Sequence, residues 1–182
     1  PTFRPDIERE VDLIEEVARL RGFEELPSEL PRLKCTKPDR REFEAVRRAK
    51  EILASLGLQE AITYSFVQRG LLDLFGVADG AVEIANPLSN ERSTMRTTLV
   101  LGLVESLKRA HSRFLGGVRQ FEVARTFHKS DAELPREVTR ASGLLFGPAP
   151  TWVGEPKRDF DFYDVKGVVL HFALAMSGVE PV

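Results

Sequence analysis

Four carboxylates near the start of the chain have a spacing that could bind a cation. Asp12, Glu15 and Glu16 stand at i, i+3 and i+4, which places all three on one face of a helix, and Asp6 lies just upstream. Such carboxylates repel one another unless a positive charge lies between them, and Mg²⁺ prefers oxygen ligands. The alternative is a solvated acidic face with Arg19 paired to Glu15, which from spacing alone is the simpler interpretation.

The middle of the chain is basic and could contact phosphate groups of a nucleic acid or a nucleotide. Its cations are Arg92, Arg96, Lys108, Arg109, Arg113, Arg119 and Arg125. The alternative is a solvated helix face or a set of salt bridges between subunits. Aromatic residues do not alternate with these bases, as a platform for stacking bases would require.

The remaining reactive residue types do not form a catalytic set. His111, His128 and His171 have no neighbouring histidine, cysteine or paired acid at metal-ligand spacing, and Cys35 has no adjacent base. Glycine-rich phosphate loops of the G-x-x-x-x-G-K-[ST] and G-x-G-x-x-G types are absent from the sequence. We therefore assign no catalytic residue.

Composition indicates a globular protein. Of 182 residues, 42% are hydrophobic and 30% are charged, which excludes a disordered chain. No apolar run approaches the roughly 18 residues of a membrane span. A single cysteine is typical of the reducing cytoplasm, where we expect the protein to be located. Because the chain opens at Pro1, we expect it to be a piece of a longer polypeptide.

Hydrophobic periodicity predicts helices and strands that alternate along the chain. Helices are predicted over 7–21, 39–57, 69–76, 99–115 and 161–176, and strands over 61–66, 81–85, 119–127 and 138–146. Asp39 is a predicted N-cap with Glu42 completing a capping box, and Gly22, Gly57 and Gly76 are predicted helix ends. The proline-containing stretch 22–38 is the predicted linker between domains. This pattern favours an α/β or α+β sheet domain.

Several segments resemble one family in the order in which that family has them. PTFRPDIEREVDLIEEVARLRGFEELPSELP at 1–31 resembles the end of the B5 domain of the phenylalanyl-tRNA synthetase beta chain. LASLGLQEAITYSFV, NPLSNERSTMRTTLVLGLVESLKRAHSR, FEVARTFH and DFYDVKG resemble the catalytic-like core of that chain. The resemblance implies that residues 1–31 are the C-terminal end of a B5 domain with the start of a linker, and that 32–182 are a catalytic-like core incomplete at its C-terminus.

The resemblance also implies a fold and a set of partners. The expected fold is α+β, an antiparallel sheet flanked by helices as in class II aminoacyl-tRNA synthetases. The family is an α2β2 tetramer that attaches phenylalanine to its tRNA with ATP and Mg²⁺, and the alpha chain holds the active site. A magnesium ion shared with the alpha subunit is implied at Asp6, Asp12, Glu15 and Glu16, all of which keep the family's acidic pattern. We therefore expect a non-catalytic scaffold that packs on the alpha subunit.

Two departures from working class II enzymes argue against nucleotide binding by this domain. The helix-then-strand motif at their dimer interface carries a proline that GLQEAITYSFV lacks. Their phosphate-binding arginine precedes an acid by two residues, whereas Arg119 precedes Glu122 by three, so these two side chains should lie on opposite faces of a strand. A degenerate ATP-binding domain and a basic tRNA-binding module remain the alternatives.

Overall fold

The computed structural model describes residues 2–27, 29, 40–113, 116–151, 153–154 and 156–178. Its contacts divide the chain into two compact units, Pro1–Pro38 and Asp39–Val182. The predicted linker lies largely outside the described residues, as do Asp39, Cys35 and the end of the third long helix at residues 114 and 115. The capping prediction for Asp39 is therefore not assessed by the structure.

The first unit contains helix α1, Glu10–Arg21, followed by a short 3₁₀ turn, Phe23–Glu25. The helix begins three residues later than predicted because the Asp12 carboxylate accepts the backbone N–H of Arg9 and closes the first turn there. It ends at Gly22, as predicted, where φ is +98°. No residue of α1 is buried, so its apolar face is open in the described part of this unit.

The second unit has four helices and five strands in its described residues. The helices are α2 Arg41–Ser55, α3 Arg69–Leu74, α4 Val100–Ser112 and α5 Phe162–Ser177. The strands are β1 Gln59–Glu60, β2 Phe66–Val67, β3 Thr94–Met95, β4 Val118–His128 and β5 Arg136–Phe146. All four predicted helices and both long predicted strands of this unit are present.

A long antiparallel hairpin organises the second unit. β4 and β5 pair over eleven residues each, from Val118 opposite Phe146 to His128 opposite Arg136. Short β1 adds to β4 in parallel, and β2 pairs with β3 in a separate antiparallel sheet. Helices flank the hairpin, so the predicted α+β architecture is confirmed, with one short parallel addition.

The core lies between one face of the hairpin and helices α2 and α5. Phe121 and Val123 of β4 pack with Ala49 and Leu53 of α2, and Phe172 of α5 packs against them. Side chains of β4 alternate between the two faces, because successive residues of a strand point to opposite sides. Phe121 and Val123 thus fix which face of β4 is apolar, while the other face carries the polar residues described below.

The predicted strand over 61–66 is wrong, and so is the one over 81–85. Ile62 and Tyr64 are exposed, and the half-buried members of the alternation are Ala61, Thr63 and Ser65. Thr63 is drawn inward because its hydroxyl bonds to a buried carboxylate, which reverses the predicted alternation. At 81–85 the pairing is limited to an antiparallel bridge of Glu83 with Thr94, in which Ile84 N–H donates to the Ser93 carbonyl and Met95 N–H donates to the Val82 carbonyl, both at 2.8 Å. No described helix is long and apolar enough to cross a membrane.

Candidate functional site

The four acidic residues of the predicted metal site have different partners in the first unit. Asp12 accepts the backbone N–H groups of Arg9, at 2.8 Å, and Glu8, at 3.0 Å. These backbone hydrogen bonds lower the pKa of Asp12. Asp12 is therefore used as a helix cap, with its charge at the positive end of the α1 dipole.

Arg4 supplies the positive charge between the other acids. Its guanidinium donates to Asp6 Oδ2 at 2.8 Å and to Glu16 Oε1 at 2.7 Å, and Arg19 donates to Glu16 Oε2 at 2.6 Å. The bond from Arg4 is the main cause that lowers the pKa of both Asp6 and Glu16. Sequence reasoning missed Arg4. The sequence did show an arginine two residues before Asp6. Its second partner, Glu16, is twelve residues away along the chain and could not be identified from local spacing.

These acids do not converge as a ligand set around one point. In the part of the chain that the structure describes, no group of three or more histidine, cysteine or acidic side chains could hold a metal ion. Arg19, which sequence reasoning paired with Glu15, pairs with Glu16 instead, and Glu15 is exposed. The metal assignment of Asp6, Asp12, Glu15 and Glu16 stays a prediction, and an ion shared by Asp6 and Glu16 would have to displace Arg4.

A buried ion pair lies in the second unit on the face of β4 opposite Phe121. Arg96 donates from Nη1 to Glu122 Oε1 at 2.8 Å, and the two side chains are only 5% and 4% exposed. Thr63 donates its hydroxyl to Glu122 Oε2 at 2.7 Å and accepts from Arg96 Nη1 at 3.1 Å. Arg96 also donates from Nε to the backbone oxygen of Arg125. Glu122 is thus fully engaged inside the protein.

Arg119 takes no part in this network. It is exposed, whereas Glu122 is buried, and their separation of three residues along β4 places them on opposite faces, as predicted. Arg119 and Glu122 therefore do not form the pair of arginine and acid on one strand face that a class II nucleotide site needs.

Several predicted phosphate-binding cations are neutralised within the chain. Arg96 is buried on Glu122, and Arg125 pairs with Glu137 at 2.6 Å. Arg92 pairs with Glu105 at 3.7 Å, and its guanidinium carbon also lies 4.5 Å from the centroid of the Tyr64 ring. The basic stretch 92–125 is therefore not one continuous positive surface.

In the described part of the chain, cations without acidic partners occur further along the hairpin. On the Glu122 face of β4 and β5, Arg140 Nε donates to the Thr126 hydroxyl at 3.3 Å, and His128 Nε2 lies 3.1 Å from the same oxygen. Arg136 is opposite His128 in the register. Burial lowers the pKa of His128, and the positive charges of Arg140 and Arg136 lower it further. Sequence reasoning treated His128 as isolated because its neighbours come from the other strand.

Two family models match the chain, one after the other. The family model for the phenylalanyl tRNA synthetase beta chain CLM domain matches residues 26–180, which is most of the chain. The chain belongs to the phenylalanyl-tRNA synthetase beta chain family. The model of the tRNA synthetase B5 domain matches residues 1–23, the part that contains α1.

Relatives in the beta chain family match almost the whole chain. The chain is 40% identical over 181 residues to the phenylalanine–tRNA ligase beta subunit of Geobacter sulfurreducens, covering 93% of the chain and 22% of that protein. It is 38% identical over 184 residues to the same subunit of Xanthomonas campestris pv. campestris, covering 98% of the chain and 23% of that protein. The chain therefore spans less than a quarter of the length of these relatives.

Solved structures show that this beta chain segment has a class II synthetase fold. A pyrrolysyl tRNA synthetase from Desulfitobacterium hafniense matches with a TM-score of 0.51 and 15% identity, over 93% of this chain and 52% of that one. A histidyl-tRNA synthetase from Nostoc sp. PCC 7120 matches with a TM-score of 0.53 and 13% identity, over 82% of this chain and 34% of that one. The predicted class II architecture is confirmed at the level of the fold.

Proposed function

We propose that this chain is a non-catalytic scaffold within the beta subunit of phenylalanine–tRNA ligase. The observation that carries the proposal is the buried Arg96–Glu122 pair. Glu122 is the acid that a nucleotide site on β4 would need, and this ion pair makes it unavailable to a ligand. Residues 1–31 would be the end of a B5 domain with the start of a linker, and 32–182 the catalytic-like core. Their partner would be the alpha subunit in an α2β2 tetramer located in the cytoplasm.

Chemistry would then take place on the alpha subunit. There, ATP would activate phenylalanine and the product would be transferred to tRNA. The second unit presents apolar side chains outside its core, such as Ile62 and Tyr64, that are suited to burial against such a partner. Obligate interfaces of this kind often bury more than ~2,000 Å².

Two measurements on the purified chain test the scaffold proposal. It should bind the purified alpha subunit of the same organism in a calorimetric titration. It should show no phenylalanine-dependent exchange of pyrophosphate into ATP by itself, because the described β4 lacks the paired arginine. Robust exchange by the chain alone would overturn the proposal in favour of a degenerate but active ATP-binding domain, and failure to bind the alpha subunit would remove the scaffold role.

The family resemblance supports a magnesium ion on the acidic face of α1, shared with the alpha subunit. Glu15 is the informative position, because it is exposed and has no ion-pair partner among the described residues, so its replacement breaks no contact in this chain. In the assembled ligase, Glu15→Gln should weaken Mn²⁺ binding, measured by electron paramagnetic resonance with Mn²⁺ in place of Mg²⁺. Glu24→Gln, an exposed acid in the same unit, is the control. Equal Mn²⁺ affinities in the two variants would remove Glu15 from the site.

A further inference from the structure

The loop end of the β4–β5 hairpin, where His128 and Arg136 flank the connecting loop, carries a group of donors on one face. His128 is opposite Arg136 and Thr126 is opposite Val138 in the register, and directly opposed residues share a face. Arg140 joins the same face, because it lies four residues after Arg136 on β5. Two guanidinium groups, an imidazole and a hydroxyl therefore lie together at this end of the hairpin.

Thr126 holds two of these donors in fixed positions. Its side chain is fully buried, and its hydroxyl has a single proton, which it donates to the Val138 carbonyl oxygen at 3.2 Å. The hydroxyl oxygen accepts from Arg140 Nε at 3.3 Å and lies 3.1 Å from His128 Nε2. Among the described residues, the Nη groups of Arg140 have no hydrogen-bond partner, so they are available to a ligand.

Among the described residues, Arg136 and Arg140 have no acidic partner on this face. β4 and β5 place one carboxylate on it, Glu122, and both oxygens of that carboxylate are held by Arg96 and Thr63. Among the described residues, no carboxylate is within ion-pair distance of Arg136 or Arg140, although the opposite face pairs Arg125 with Glu137 at 2.6 Å. At this end of the hairpin, Arg125 is therefore paired on one face, whereas Arg136 and Arg140 on the other face have no ion-pair partner among the described residues.

We propose that Arg136, His128 and Arg140 form a binding site for a phosphate group. A guanidinium fork donates two parallel hydrogen bonds to oxyanions, and a phosphate offers oxygens to several donors at once. Phosphate fits better than a single carboxylate, because two arginines and a histidine provide more donors than two carboxylate oxygens can accept from. The phosphate group could belong to a nucleotide or to a nucleic-acid strand, and the experiment below separates the two.

A bound phosphate has a distinct signature at His128. In the unliganded chain, burial and repulsion by Arg140 and Arg136 lower the pKa of this imidazole. An anion beside it would favour the charged form and raise that pKa. The chain has three histidines, so their ring C–H resonances can be followed individually by NMR, with His128 assigned from the spectrum of His128→Gln.

The test is an NMR titration of the whole 182-residue chain with inorganic phosphate, at constant ionic strength maintained with sodium chloride. We expect saturable shifts of the His128 resonance in the millimolar range and a raised His128 pKa at saturation. Arg140→Gln should weaken phosphate binding by about tenfold, because it removes a charge-assisted fork. Arg140→Lys keeps the positive charge but not the two parallel donors of the guanidinium, so its phosphate affinity should lie between those of the parent chain and Arg140→Gln. Arg119→Gln, on the opposite face of β4, is the matched control and should bind as the parent does.

Competition with AMP and with a short single-stranded RNA lacking terminal phosphates identifies the source. Displacement of phosphate mainly by AMP indicates a phosphate monoester, and displacement mainly by the RNA indicates a phosphodiester backbone. Shifts that grow linearly without saturation, or equal losses in Arg140→Gln and Arg119→Gln, would show only general charge screening and overturn the proposal.

Discussion

Two glutamates of the hairpin form short ion pairs in different surroundings. Glu122 meets Arg96 at 2.8 Å with a side chain 4% exposed, whereas Glu137 meets Arg125 at 2.6 Å with a side chain 44% exposed. Removing one member of a buried pair leaves an uncompensated charge in the interior, whereas an exposed pair is screened by water. Burial, not distance, should therefore decide how much each pair stabilises the fold.

Glu122→Ala should accordingly lower the free energy of unfolding by about 3–5 kcal/mol, because Arg96 would remain buried without its acid. Glu137→Ala should lower it by about 0.2–1 kcal/mol. Urea denaturation of both variants measures the difference. Similar losses in the two variants would show that the Arg96–Glu122 pair is not the buried structural element described above.

Asp164 provides a test that depends on pH. Its carboxylate accepts from Arg158 at 2.6 and 2.8 Å and from the backbone N–H of Asp161 at 2.9 Å, and these bonds, chiefly those from Arg158, lower its pKa from 3.8 to about 2. A lowered pKa in the folded state stabilises the fold above the unfolded value, and this contribution is lost as pH falls towards 2.

The expected result is a carboxyl ¹³C titration of Asp164 with a midpoint well below 3.8 in the parent chain. Arg158→Gln should move that midpoint upward, with part of the lowering kept by the Asp161 N–H group, and should reduce the loss of stability between pH 4 and 2. A midpoint near the ordinary value in the parent would contradict the capping geometry at the start of α5.

At the scale of the elements, α4 approaches the segment after β1 closely. A Cβ added at Gly102 of α4 would overlap the side chain of Thr63, the residue that donates to Glu122. Gly102 is therefore required by close approach, although its helical backbone would accept any residue. In α5, by contrast, a Cβ added at Gly167 would meet no atom within 4 Å.

The two glycines should respond oppositely to alanine. Glycine to alanine inside a helix ordinarily adds about 1 kcal/mol of stability, and Gly167→Ala should show a gain of that order. Gly102→Ala should destabilise the protein, because Thr63 must move and release Glu122. Thermal unfolding of both variants gives the signs, and a gain in Gly102→Ala would mean that Thr63 relaxes without cost.

At the scale of the whole molecule, the second unit exposes apolar side chains at separate places. Ile62 is 91% exposed in the segment between β1 and β2, and Leu74 is 77% exposed at the end of α3. Neither contributes to the core, so a charge at either position should leave the fold intact. The segment around Ile62 belongs to the motif that resembles the dimer-interface motif of class II enzymes, which makes it the better candidate for contact with the alpha subunit.

Ile62→Asp should therefore weaken association with the alpha subunit at least about tenfold, because burial of an unpaired carboxylate is costly. Leu74→Asp is the control and should associate as the parent does. Calorimetric titration against the alpha subunit measures affinity, and unchanged melting temperatures confirm that both variants fold. Equal affinities for the two variants would place the interface elsewhere.

The sequence by itself determined the helices and the long hairpin, because their hydrophobic periods and glycine ends are local properties. It also determined the family, through motifs such as DFYDVKG. The acidic face of α1 followed from spacing, but the identity of its counter-charge, Arg4, depended on a side chain twelve residues from Glu16.

Only the tertiary structure decided which side chains of the short segments turn inward. In a strand over 61–66, the apolar Ile62 and Tyr64 would form the buried face, yet Thr63 points inward because Glu122, fifty-nine residues away, accepts its hydroxyl proton. In the same way, Arg96 is a surface cation by its sequence alone but is buried against Glu122 of β4, and His128 is an isolated histidine by its sequence alone but lies near Arg136 and Arg140 of β5. In such short segments, a hydrogen bond to a distant residue can decide which side chain is buried, whatever the local hydrophobic pattern. The reason is that a buried carboxylate without hydrogen-bond donors costs more free energy than an exposed apolar side chain.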